Sequence, residues 1–146
     1  MRTLMRILLP VFLVVVGLAV WLPQPTGKGN YPILGVIAHW LSREGLPLIP
    51  SYVGVNIVAN VAMFLPFGIL LMVAFRRMRV WSVTLIGFAA SGLIEGVQLF
   101  LPTRDSSIAD LLTNTLGALL GALLVAVVRR MRRAAPERSA VVAPTA

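Results

Sequence analysis

The chain has 146 residues, a hydrophobic fraction of 58% and a mean hydropathy of +0.91, well beyond the averages of water-soluble domains. Charged residues make up 12% and are missing over long stretches, which excludes a water-facing surface around an ordinary core and makes lipid the solvent for most of the chain. With no cysteine and a single histidine, His39, there is no disulfide, thiolate site, cysteine nucleophile or zinc set, so neither a metal nor a cofactor is expected.

The first apolar stretch, 4–22, follows Arg2 and contains Arg6, a pattern shared with secretory signal peptides. No A-x-A site follows, and Trp21, Leu22, Pro23, Gln24 and Pro25 suit signal cleavage poorly, so an uncleaved anchor is expected. The connection 23–52 holds Ile33, Leu34, Ile37, Trp40 and Leu41 at helical spacing behind Pro32, a residue suited to a first helical turn. A short interfacial helix is expected there, with Tyr31 and Trp40 at headgroup level and His39 as a polar neighbour. A second span covers 53–75, where Pro66 should kink the helix and deprive the Ala62 carbonyl of its usual partner. A third covers 80–101, with Gly92 and Gly96 as a GxxxG pair, and a fourth covers 108–128, with Gly117 and Gly121 as another. The tail 134–146 is rich in Ala, Pro and Val without pattern and is expected to be disordered, leaving one domain over 1–133.

The expected fold class is therefore all-α, a bundle of four transmembrane helices with a short interfacial helix in the first outer loop. The net charge of +8 and pI near 11.7 would ordinarily point to nucleic acid, but the positions of the cations account for them otherwise. Arg2, Arg6, Arg76, Arg77, Arg79, Arg129, Arg130, Arg132, Arg133 and Arg138 fall on one side of the spans, against Lys28, Arg43 and Arg104 on the other. By the positive-inside rule both termini are cytoplasmic, in a multi-pass protein of the plasma membrane whose partners are lipids and no nucleic acid. The cluster from Arg129 to Arg133 could also hold anionic headgroups, at about 1 kcal/mol per cation.

Polar residues inside the spans gather toward the outer half. Asn56 and Asn60 are four apart in the second span, Glu95 and Gln98 three apart in the third, and Asp110 and Asn114 four apart in the fourth, so each pair shares one helix face. With a six-residue loop, 102–107, the third and fourth spans should form an antiparallel hairpin with Gln98 level with Asp110, Glu95 level with Asn114, and Arg104 above them. Intramembrane carboxylates are costly and usually face a cavity or a partner. Blander roles exist for each: Ser107 and Asp110 form a capping-box pattern, the amides can glue helices, Arg104 can anchor at the interface, and Glu95, which serves no cap, can be a protonated core residue.

In order, Asn60-Val-Ala-Met-Phe-Leu-Pro66-Phe-Gly68, then Glu95-Gly-Val-Gln98, then Arg104, then Asp110-Leu-Leu-Thr-Asn114-Thr-Leu-Gly117-Ala-Leu-Leu-Gly121 resemble the VanZ-like family of small bacterial membrane proteins. The likeness covers the second to fourth spans, about half the chain. Many members carry an acidic residue three after the arginine; Ser107 stands there in this chain, and Asp105 follows the arginine directly. The resemblance implies the bacterial cell envelope as context, with antibiotic resistance of the teicoplanin-tolerance type, and implies no reaction.

Three functions fit these residues. Asn56, Asn60, Glu95, Gln98, Arg104, Asp110 and Asn114 can bind a lipid headgroup or a lipid-linked cell-wall precursor, the arginine taking phosphate. Glu95 can load a proton in a small carrier, for which a homo-oligomer would be needed because nothing polar lines the inner half. The same residues can simply fix the bundle. No nucleophile motif or phosphate loop is present, so no enzymatic activity is assigned.

Overall fold

The computed structural model describes residues 2–21, 32–101 and 106–134, which form five α-helices and no strand. In chain order these are α1 (Arg2–Trp21), α2 (Pro32–Arg43), α3 (Leu48–Ala74), α4 (Val80–Gln98) and α5 (Ile108–Ala134). Three of them, α3, α4 and α5, are long and apolar enough to cross a membrane, and α1 contributes a shorter apolar helix over Thr3–Leu18. The 19 residues of α4 alone rise about 28 Å, close to the thickness of a hydrocarbon core. Outward-facing Leu85, Leu93, Leu112 and Val127 are more than half exposed. Such a surface is untenable in water and ordinary against lipid tails.

The short helix expected behind Pro32 is present as α2. It ends in a Schellman turn: Leu46 N–H donates to the Leu41 carbonyl (3.3 Å) and Gly45 N–H to that of Ser42 (3.2 Å), with Gly45 at φ 94°. Only glycine takes that backbone conformation without strain, so Gly45 sets the corner that lays α2 against α3. Ala38 is buried in that contact while Trp40 stays exposed. Tyr31 and the tail beyond Ala134 lie outside the described residues.

Three helix boundaries differ from the apolar runs. α3 starts at Leu48 rather than 53, because Pro47 and Pro50 sit where a first turn tolerates a missing N–H. α4 stops at Gln98 although the apolar run reaches 101: Phe100 and Leu101 N–H groups donate to Val97 and Gln98 carbonyls, closing tight turns that end the helix. α5 runs past 128 to Ala134, since arginine is a good helix former and its charge suits a helix C-terminus. The helix is continuous through Pro66.

The centre of the bundle is α3, which packs against α5, α4, α2 and α1, while α5 packs against both α3 and α4. Small residues make the α3 and α5 contact possible. A Cβ added at Gly117 would lie 2.5 Å from the Val61 carbonyl oxygen, one at Gly121 would strike the Leu65 carbonyl oxygen, and one at Gly68 would strike that of Ala118. Backbone therefore meets backbone along this seam, as the Gly117 and Gly121 spacing anticipates. The Gly92 and Gly96 pair does not do the same: Gly96 has nothing within 4 Å and Gly92 meets only Leu111 at 3.9 Å. On α4 the close approach falls instead on the other face, where a Cβ on Gly87 would lie 2.5 Å from the Ala118 Cβ. Phe64 and Phe67 stack edge to face at 5.6 Å beside this seam and complete the core with Val83, Ile94 and Val16.

The arginines collect at one end. Arg6 of α1 lies 5.6 Å over the Phe75 ring at the end of α3, and Arg129 of α5 donates to the Met72 carbonyl in the last turn of α3. That carbonyl is one of the helix-terminal acceptors with no partner in its own helix, so Arg129 caps α3 from a neighbouring helix. Exposed Trp81 begins α4 at this end, opposite Trp40.

Candidate functional site

At the other end, α3, α4 and α5 each bring polar side chains inward. On α3, Asn56 and Asn60 are one turn apart and joined, the Asn60 Nδ2 donating to Asn56 Oδ1 at 3.3 Å. The same amide donates across to Asp110 Oδ1 of α5 at 2.7 Å, a contact between residues 50 apart in sequence. The Asp110 carboxylate therefore faces α3, while its backbone N–H closes the first turn onto the Ser107 carbonyl (3.1 Å). From α4, Glu95 Oε2 accepts the Ser107 backbone N–H at 2.7 Å, with the Ser106 side chain a second hydrogen-bonding neighbour. Glu95 and Asp110 are near enough to interact electrostatically.

Glu95 consequently does serve a cap, contrary to the expectation from sequence. It holds the segment that leads into α5, accepting an N–H that has no partner within the helix it precedes. This carboxylate is buried, with 8% of its surface exposed, whereas Asn56, Asn60 and Asp110 are half-buried and line the accessible part of the cluster. Gln98 is buried in the last residue position of α4, one turn beyond Glu95. Arg104 lies outside the described residues.

The depth of the cluster differs from the expected one. Because α3 begins five residues early, Asn56 and Asn60 lie about 12 and 18 Å along it from Leu48, so the first turns of α3 project beyond the start of α5 and support α2. The hairpin register differs too. Asn114 does not sit level with Glu95; its Nδ2 donates to Ser91 Oγ at 3.0 Å, one turn deeper, and both are buried. The physical reason is the end of α4 at Gln98: a nine-residue connection, 99–107, replaces the six-residue loop, and its midpoint shifts every pairing by about one turn.

Ser91 is the residue that sequence reasoning passes over. It is fully buried, four residues before Glu95 and on the same face of α4, and that spacing is the signal that could have found it. Asn114 Oδ1 has no hydrogen-bond partner among the described residues, so the pair is only partly satisfied. A double-mutant cycle on Ser91→Ala and Asn114→Ala, read by thermal unfolding in detergent, is expected to give a coupling of about 0.6 to 1.7 kcal/mol. A coupling of zero would mean the contact contributes nothing. Thr113 and Thr115 satisfy their hydroxyls on their own helix, at Ala109 O (2.9 Å) and Leu111 O (2.7 Å), and take no part in the cluster. No group of three or more metal-ligating side chains occurs among the described residues.

Two carboxylates and two asparagine amides thus meet at one end of the bundle, with a buried glutamine one turn beyond Glu95 on α4 and the arginine-rich end opposite. The family model described as VanZ/LLP1 matches residues 7–129, from α1 to the arginine that caps α3. No curated protein and no solved structure matches the chain. The polar cluster, the small-residue seam, α3, α4 and α5 as far as Arg129 fall inside the matched region, and the chain is a membrane protein of the VanZ/LLP1 family.

Proposed function

We propose that the chain crosses the bacterial plasma membrane four times with both termini in the cytoplasm, and that its outer polar cluster binds the headgroup of a lipid or lipid-linked cell-wall precursor. The observation that carries this reading is the bridge from Asn60 to Asp110, half-buried groups of α3 and α5, beside the buried Glu95 of α4, which concentrates acceptors and an amide donor from three helices at one place. Carboxylates and amides suit sugar hydroxyls and amines, and Arg104, between α4 and α5 in the sequence, would supply the fork that suits phosphate. Through access to such a precursor the protein would influence tolerance to teicoplanin-type glycopeptides. The gathering of Arg6, Arg76 and Arg129 at the opposite end supports the orientation.

Lipid co-purification tests the binding. Arg104→Ala and Asp110→Asn are expected to lose a bound phospholipid or polyprenyl-linked species by about tenfold or more, at unchanged elution and melting behaviour, as loss of one charged contact implies. Folded variants that retain the lipid would end the reading. The hydrogen bond from Ser107 to Glu95 favours a second reading, in which the cluster only latches the α4 and α5 hairpin. Under that reading the variants lose stability and lipid content stays constant.

A further inference from the structure

Between the C-terminal halves of α3 and α5 runs a groove of about 540 Å³. Its walls are apolar: Val73 on one side and Leu124, Val125 and Val128 on the other. Its rim is cationic, formed by Arg76, Arg129, Arg132 and Arg133. The arrangement follows from helical periodicity, since 125, 128, 129 and 132 recur at three and four residues and so share one face of α5. Arg76 arrives from the connection that follows α3, and the capping bond from Arg129 to the Met72 carbonyl holds the two helix ends at a set spacing. Arg129 lies in the electrostatic field of both Arg76 and Arg133.

Like charges crowded in this way repel, and among the described residues no carboxylate is there to offset them. The carboxylates of Glu95 and Asp110 belong to the far end, about 28 Å along α5 for the latter, and Glu44 follows α2. The rim formed by the described residues suits an anion, and the walls suit hydrocarbon. We propose that it is a binding site for an anionic phospholipid, whose phosphate is held by Arg76, Arg132 and Arg133 and whose acyl chain lies along Leu124, Val125 and Val128. A free inorganic phosphate would use the rim and leave the apolar walls uncovered; a zwitterionic lipid would cover the walls and bring no net charge to the rim. Basic pockets between helices at the arginine-rich face of a membrane protein recognise phospholipid headgroups on these terms.

The test is binding of phosphatidylglycerol to the full chain in phosphatidylcholine mixed micelles, read by native mass spectrometry. Salt of about 0.5 M confines electrostatics to about 4 Å, so that diffuse attraction drops out. The double variant R76Q/R132Q is expected to bind about thirtyfold more weakly, each cation near an anionic headgroup contributing roughly fivefold. R77Q/R130Q removes the same charge from outside the groove and is expected to change affinity less than about threefold. Arg129 is left in place because it caps α3. Equal losses in the two double variants would overturn the site in favour of general surface charge. Inorganic phosphate that displaces phosphatidylglycerol at comparable concentration would overturn the lipid as occupant.

Discussion

Gly121→Val is expected to destabilise the bundle by about 3 kcal/mol, measured as detergent-solubilised protein remaining monodisperse after heating, and Gly117→Val by a similar amount. Lipid tails are as apolar as leucine, so helices in a membrane gain little from hiding apolar surface and depend on close contact. The seam between α3 and α5 supplies that contact through backbone. A side chain on Gly121 would run into the Leu65 carbonyl oxygen and approach Ile69 N at 3.0 Å, and one on Gly117 would meet Phe64 Cβ at 2.9 Å as well as the Val61 carbonyl. Backbone atoms of a helix cannot swing aside as a flexible side chain can, so the helices must part. Gly96→Ala is the matched control: nothing lies within 4 Å, and stability is expected to change by less than about 0.5 kcal/mol, or to rise slightly from helix propensity. A Gly121→Val protein as stable as the parent would show that α3 and α5 do not meet through this seam.

Glu95→Ala is expected to cost about 2 kcal/mol, and Glu95→Gln about 0.5 kcal/mol. The asymmetry follows from what Glu95 does. It accepts the Ser107 N–H at 2.7 Å, and alanine would leave that N–H beside a partly buried helix start with no acceptor, whereas the glutamine amide oxygen can still accept it. Hydrogen exchange of the peptide covering 106–110 gives the local readout. Exchange should accelerate by about tenfold or more in Glu95→Ala and change little in Glu95→Gln, in line with local opening energies of that size. Unaltered exchange in Glu95→Ala would remove Glu95 as the anchor of the segment. The conservative variant also separates function from stability: Glu95→Gln keeps the latch and removes the ionisable group, so a loss of bound lipid in that variant reports on recognition alone.

Much of the fold could be read from residue order, and the parts that could not have identifiable causes. Apolar runs located α1, α3, α4 and α5, because a bilayer demands long uninterrupted stretches whose backbone polar groups pair internally. The runs were poor guides to where helices stop. Phe100 and Leu101 are as apolar as the helix before them, yet they turn out of it, and the arginines after 128 are as helical as the valines before them. Hydropathy reports the solvent; backbone hydrogen bonding decides the helix. The end of α4 then shifted the hairpin register, moving Asn114 from Glu95 to Ser91.

By itself, the order of residues determined that the chain suits lipid, that a short helix starts at Pro32, that Asn56 and Asn60 share a face, and that Gly117 and Gly121 make a surface on which another helix can lie. These are properties of single helices, set by composition and by 3.6-residue periodicity. Only the tertiary structure decided which helix lies on that surface, that Gly92 and Gly96 make no close backbone approach, that Asn60 reaches Asp110, and that Arg76 and Arg132 share a groove. Periodicity fixes which residues lie together on a helix and says nothing of the rotation or slide of one helix against another, and those two freedoms are settled by contacts between residues far apart in the chain.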